Sequence, residues 1–222
     1  MAISETNIKN AALALIGAEN ITSPTDNSRE ARFTKELYPI AVREIYDYPL
    51  IDWSFATARA ELSRLSDAPL LGTYDYQYSL PAKCRRIVAL CDEDGDEIEY
   101  EWRREVYVSG NSETDVMLTD QNEAFVKYIR ERSDTDKWPA YFAKMVYTRL
   151  AILLCAPLKA DKQKKQQLLN LWQEAVIDAK TGNGMEGGDV NKDNIPIDKG
   201  NTDVVDASTK EEVTKKYIIQ RE

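Results

Sequence analysis

Asp92, Asp94, Asp96 and Glu99 crowd one short stretch of the chain. Carboxylate oxygens at that density suit a hard cation. The helix–loop–helix calcium loop, however, needs glycine at its sixth position and glutamate at its twelfth. Counting from Asp92, Gly95 stands fourth and Arg103 twelfth. A hairpin turn with solvated acids fits the pattern better. Cys84 and Cys91 have the wrong spacing for a zinc pair and no partner ligands beside them. With Cys155 they make three scattered cysteines, the usage expected of reduced, cytosolic thiols. The chain has no histidine. That removes the commonest general base, the commonest metal ligand, and any Ser-His or Cys-His nucleophile pair. Carboxylate, lysine and magnesium chemistry remain open, but no constellation gathers the residues for them. The glycine-rich GNGMEGGD stretch lacks the Lys-Ser/Thr of a phosphate loop and reads as a linker. The sequence therefore assigns no catalytic residue, no metal ligand and no cofactor.

Lys159, Lys162, Lys164 and Lys165 form a basic cluster at the start of a predicted helix. A solvated helix face is the ordinary explanation. Cations at a helix N-terminus nevertheless oppose the macrodipole, so contact with an acidic neighbour or with DNA is the functional alternative.

The elements that position these groups are legible from periodicity. Ser4 caps a first helix over residues 4–16, with Ile8, Ala11, Ala12, Leu15 and Ile16 at helical spacing and Gly17 as its left-handed stop. A second helix spans 28–48, with Phe33, Leu37, Ile40, Ala41, Ile45 and Tyr48 on one face. Pro39 should kink or split it. A β-rich region follows over about 53–130. Tyr74, Tyr76, Tyr78 and Leu80 alternate with polar residues, predicting a strand with one buried face. Ile87–Leu90 and a second arm through Ile98, Tyr100 and Trp102 read as a hairpin turning at Gly95. Residues 106–108, 116–118 and 125–129 are further strand candidates.

Helices return over 139–155, with Phe142, Met145, Val146, Leu150 and Leu153 as the stripe, and over 161–180, burying Leu168, Leu169, Trp172, Ala175, Val176 and Ala179. The fold class is α+β, with helices from both ends forming a small helical bundle around a β-rich central insertion. The folded domain is expected to be 1–182, followed by a flexible tail over 183–222. Within that tail, 204–219 carries Val213, Tyr217, Ile218 and Ile219, apolar groups in a charged setting, and reads as a docking segment.

A length of 222 residues is ample for a real core. The net charge of -9 makes nucleic acid a poor default ligand, because a protein that grips DNA from outside carries a basic face. No long apolar run predicts a membrane span. The N-terminal MAISETNIKN lacks the basic flank and apolar core of a signal peptide.

The order of these segments resembles the head-to-tail adaptor family of short-tailed phages, the tail tubular protein A type. The resemblance rests on NIKNAALALIGAENITS, then a helix, then Trp53-Ser54-Phe55-Ala56, then YDYQYSLP. In that family Trp-x-Phe-Ala is a strand. Farther along, Pro139-Ala140-Tyr141-Phe142 and RLAILLCAPL match the family's carboxy-terminal helices. The match runs from about Asn7 to Ala179 and lies in order and spacing, not in any single motif. Pro39 and the tail after Gly182 depart from it.

The resemblance implies a virion protein of the neck or tail, assembled in the host cytoplasm. It implies a homo-oligomeric ring, twelve subunits in the family, seated between the portal protein and a tail nozzle of the tail tubular protein B type. The ring continues the DNA channel and helps retain and eject the genome. DNA passes through the lumen without specific binding, and no membrane is involved. The partner-binding residues expected on this reading are Val213, Tyr217, Ile218 and Ile219 of the tail and Lys162, Lys164 and Lys165 of the basic cluster. The acidic balance motivates a further expectation, a lumen that repels DNA and lets it slide. The alternatives are another neck or tail completion protein acting as a monomer before assembly, or a carboxylate-dependent phage enzyme.

Overall fold

The computed structural model describes residues 3–23, 25–69, 72 and 74–187. Four helices and two antiparallel sheets make up this part of the chain. The first helix, α1 (Glu5–Ile16), begins where Ser4 accepts the amide of Asn7 and ends at Gly17, with φ at 73°. The second, α2 (Arg29–Tyr46), begins at Ser28, which accepts the amide of Ala31. It is not split by Pro39, which lies on the exposed face. The carbonyl that proline leaves unpaired one turn back can be hydrated there, so the helix tolerates it. The buried stripe of α2 is Ala31, Thr34, Tyr38, Ala41, Val42, Ile45 and Tyr46. The expected stripe was centred too far round: Ile40 is 47% exposed, and Thr34 and Tyr38 occupy the core positions instead. Thr34 can do so because its hydroxyl donates back to the Glu30 carbonyl at 2.8 Å.

After α2, Trp53-Ser54-Phe55-Ala56 is not a strand. Ser54–Ala56 forms a 3-10 turn that leads into β1 (Thr57–Glu61). Short β2 (Ser63–Arg64), β3 (Tyr76–Ser79), β4 (Cys84–Cys91) and β5 (Glu97–Ile98) follow. Then come β6 (Trp102–Ser109), β7 (Ser112–Thr119) and β8 (Phe125–Arg130). One sheet has the order β1-β8-β4-β5 and the other β2-β3-β7-β6. The hairpin foreseen around Gly95 exists but is short. Its second arm ends at Ile98, and Trp102 starts β6 in the other sheet. The turn between β6 and β7 is Gly110-Asn111, with Gly110 at φ 59°, the left-handed backbone a two-residue hairpin needs at its first position. Both Gln77 and Tyr78 of β3 are buried, so that strand has no solvent face, contrary to its alternating pattern. The Gln77 amide is satisfied there by donating to the Asp67 carbonyl at 2.8 Å.

The first sheet serves two cores. Ile87, Leu90, Val126 and Tyr128 face Tyr78 and Met117 of the second sheet. Ile129 and Val88 face the helices. On the helical side, α3 (Ala140–Leu154) lies against α1, α2 and α4 (Lys162–Gly187). That central position explains why α3 buries Ala143, Thr148, Ala151, Ile152 and Leu154 besides Phe142, Met145, Val146 and Leu150, while Leu153, expected in the stripe, is half-buried. Trp53 is fully buried in this core, and its indole N–H donates to the Ile45 carbonyl at 2.8 Å. Its ring meets Phe142 edge-on at 4.9 Å. Trp138 is buried as well, whereas Trp102 and Trp172 are half-buried. Leu169, expected inside, is exposed.

The largest departure from expectation is α4. Its predicted end is near residue 180, with GNGMEGG as a linker, yet the helix continues to Gly187. The glycines serve close approach. A Cβ on Gly182 would sit 2.5 Å from the Tyr141 ring, and one on Gly187 would sit 2.8 Å from the Ser54 hydroxyl. The expected boundary at 182/183 thus falls inside a helix. Asn183 ties that helix to the β1 entry. Its side-chain oxygen accepts the Ser54 amide at 2.8 Å, and its side-chain nitrogen donates to the Asp52 carbonyl at 2.7 Å.

Candidate interaction surfaces

The lysine cluster sits at the corner between α3 and α4. Lys162 and Lys165 are exposed and Lys164 is half-buried. Among the described residues none of the three makes an ion pair. Asp161 relieves the conflict with the macrodipole: its carboxylate accepts the Gln163 amide at 2.9 Å, and its carbonyl accepts the Lys165 amide at 3.1 Å. Lys159, at φ 55°, turns the chain out of α3. The Arg29 guanidinium donates to the Pro157 carbonyl and ties the start of α2 to this corner. The result is an exposed cationic corner on a hydrogen-bonded turn, able to receive carboxylates or phosphates.

A second surface is the open cleft of about 530 Å³ where α4 ends. Asp52, Arg59, Lys127, Lys180 and Glu186 line it. Asp52 pairs with Arg86 at 2.6 Å, and Lys127 pairs with Glu97 at 2.7 Å. Charges of both signs, two of them already paired, make this a wet polar groove and not a site that concentrates one charge.

A third surface is a cleft of about 590 Å³ between α1, α2 and the segment before α3. Tyr38, Val42 and Trp138 give it an apolar floor, and Lys35, Arg43 and Arg132 give it a basic rim. Beneath it Lys9 is buried, an assignment the sequence reading missed. Its ammonium pairs with Glu5 at 2.6 Å and lies 5.1 Å from the centre of the Tyr38 ring. The available signal was the Glu5-to-Lys9 spacing, a favourable helical pair. Burial, with Glu5 nearby, pushes the Tyr38 hydroxyl far above its ordinary range. Burial likewise pushes Tyr46 up to about 12. These tyrosines stay neutral and act as packing groups.

The acids of the Asp92 turn hold the turn itself: one Asp92 carboxylate oxygen accepts the amides of Asp94 and Asp96, at 3.1 and 2.9 Å. Among the described residues no group of three or more His, Cys, Asp or Glu is placed to hold a metal ion. The cysteines are unbridged, and burial pushes the Cys84 and Cys155 thiols up, away from thiolate reactivity. No helix among the described residues is long and apolar enough to cross a membrane.

The residues expected to carry docking, Val213, Tyr217, Ile218 and Ile219, lie outside the described residues, as does the whole 204–219 segment. A fourth surface was not anticipated. On the β6–β7 hairpin, Val106 and Val108 are 55% and 60% exposed. They alternate with Trp102 and Arg104 on one face of β6. No family model matches the chain, and no curated protein matches it.

Proposed function

We propose that this protein is a structural head-to-tail adaptor of a short-tailed phage. In this reading it forms a ring between the portal protein and the tail nozzle, extends the DNA channel, and helps retain and eject the genome. What supports the reading above all is the order of elements: two N-terminal helices, a Trp53-centred turn, a β-rich middle, and two further helices packed on the first two. The N- and C-terminal helices form the small bundle around the β-rich insertion. A cyclic ring needs two different patches, one for each neighbour. The cationic corner of Lys162, Lys164 and Lys165 and the exposed β6–β7 hairpin are two such patches, carried by different elements.

Contact with the portal or with a neighbouring subunit falls to the tail residues Val213, Tyr217, Ile218 and Ile219 and to the cationic corner. DNA passes the lumen without specific binding, kept from sticking by the net charge of -9. The test is truncation after Gly188. The product remains folded and fails to attach to portal; full attachment by the truncated chain refutes the tail's role.

A further inference from the structure

β6 is an edge strand. Among the described residues nothing pairs with its outer side, while β7 pairs with the inner one from Trp102 to Ser109. In an antiparallel ladder, alternate residues of such an edge present both backbone groups to solvent. Natural edges of this length are usually blunted by proline, a bulge, a cover or charged side chains, and of these β6 has only the charges of Arg103, Arg104 and Glu105. β6 has no proline, and its register with β7 is unbroken. Its inner face carries Trp102, Arg104, Val106 and Val108 in line, with Arg104 paired to Asp115 at 2.9 Å. Trp102 packs into the core between the two sheets. Farther along that face, Val106 and Val108 project past the core and remain open. The long hairpin therefore offers main-chain hydrogen bonds and two uncovered valines together.

The sequence outside the described residues holds a segment that fits. Residues 213–220 read Val-Thr-Lys-Lys-Tyr-Ile-Ile-Gln, rich in β-branched and aromatic residues and free of proline and glycine. Its eight residues match the eight of β6. Alternation puts Val213, Tyr217 and Ile219 on one side of an extended strand. Charge is complementary too. The hairpin from Trp102 to Thr119 carries Glu105, Glu113 and Asp115 against Arg103 and Arg104, a net of -1. The segment 213–220 carries Lys215 and Lys216 with no acid, a net of +2. The residues between Gly187 and Val213 can span on the order of 80 Å when extended, enough to reach a neighbouring molecule.

We infer that residues 213–220 of one copy add as a strand along the β6 edge of a second copy, covering Val106 and Val108. Donor segment and acceptor edge differ, so the contact is head-to-tail and repeats from copy to copy. This holds whatever the assembly is for, and it does not depend on the adaptor reading.

The experiment uses full-length chains. An edge variant carries Val106→Lys and Val108→Lys, both at exposed positions that leave the core intact. A tail variant carries Tyr217→Ser and Ile219→Ser. Sedimentation of the unaltered chain shows concentration-dependent association, weakened by about tenfold or more in each variant. The decisive arm mixes the two. The edge variant still donates a tail and the tail variant still offers an edge, so they pair one to one. Hydrogen exchange then slows at the β6 amides of the tail variant alone. A full-length chain that stays monomeric, variants that associate like the parent, or a mixture that fails to pair overturns the inference. None of these outcomes involves portal, so each is separable from failure of the adaptor reading.

Discussion

Lys9 is the residue whose energetics are most exposed to test. Its ammonium is buried and its partner Glu5 is half exposed. Removing the partner strands a charge, whereas replacing the lysine by an apolar residue removes the need for one. Glu5→Gln should therefore destabilise by about 2 kcal/mol, and Lys9→Met by clearly less; denaturant melts compare them. Tyrosine burial makes a second prediction. The Tyr46 pKa lies near 12 in the folded protein, with Tyr38 also raised by burial. The unfolded chain releases those protons first, near the ordinary tyrosine value. The associated stability is thus fully present below about pH 10 and is lost as pH rises toward about 12. Melting temperature should fall steeply over that window, and Tyr38→Phe should make the fall shallower. An unchanged slope in that variant would remove Tyr38 from the account.

At the scale of elements, helix caps and strand positions were mostly legible, because Ser4, Gly17, Ser28 and the apolar runs carry local signals. What was not legible depended on partners distant in sequence. α3 has a stripe in sequence but is buried on several sides, because three helices surround it. The glycines after Lys180 read as a linker because their composition carries no trace of Tyr141 and Ser54, the groups that need them small. Substitution separates the two meanings. Gly182→Ala drives a methyl into the Tyr141 ring and should destabilise, or displace that ring. Nothing approaches the Cβ position of Gly184, so Gly184→Ala should stabilise the helix by about 0.5–1 kcal/mol. Two neutral outcomes would match a linker instead. Asn183→Ala should speed hydrogen exchange over the last turns of α4, since it removes both ties to the β1 entry.

For the whole molecule, the sequence made the α+β class and the order of elements readable. The candidate surfaces were only half readable. The lysine cluster was evident because charge is visible in composition. The exposed valines of β6 were not evident, since an apolar strand residue looks the same in sequence whether a second sheet covers it or not. Lys162→Glu, Lys164→Glu and Lys165→Glu together should leave the fold intact and impair ring or portal assembly. Unchanged assembly would return the cluster to an ordinary solvated face.

The most direct measurement is electron microscopy of the full-length protein mixed with the portal protein proposed as its partner. The account predicts a closed ring of this chain seated coaxially on the portal, with a continuous central channel. Single copies scattered on the portal, or a chain that never joins it, would contradict the adaptor function.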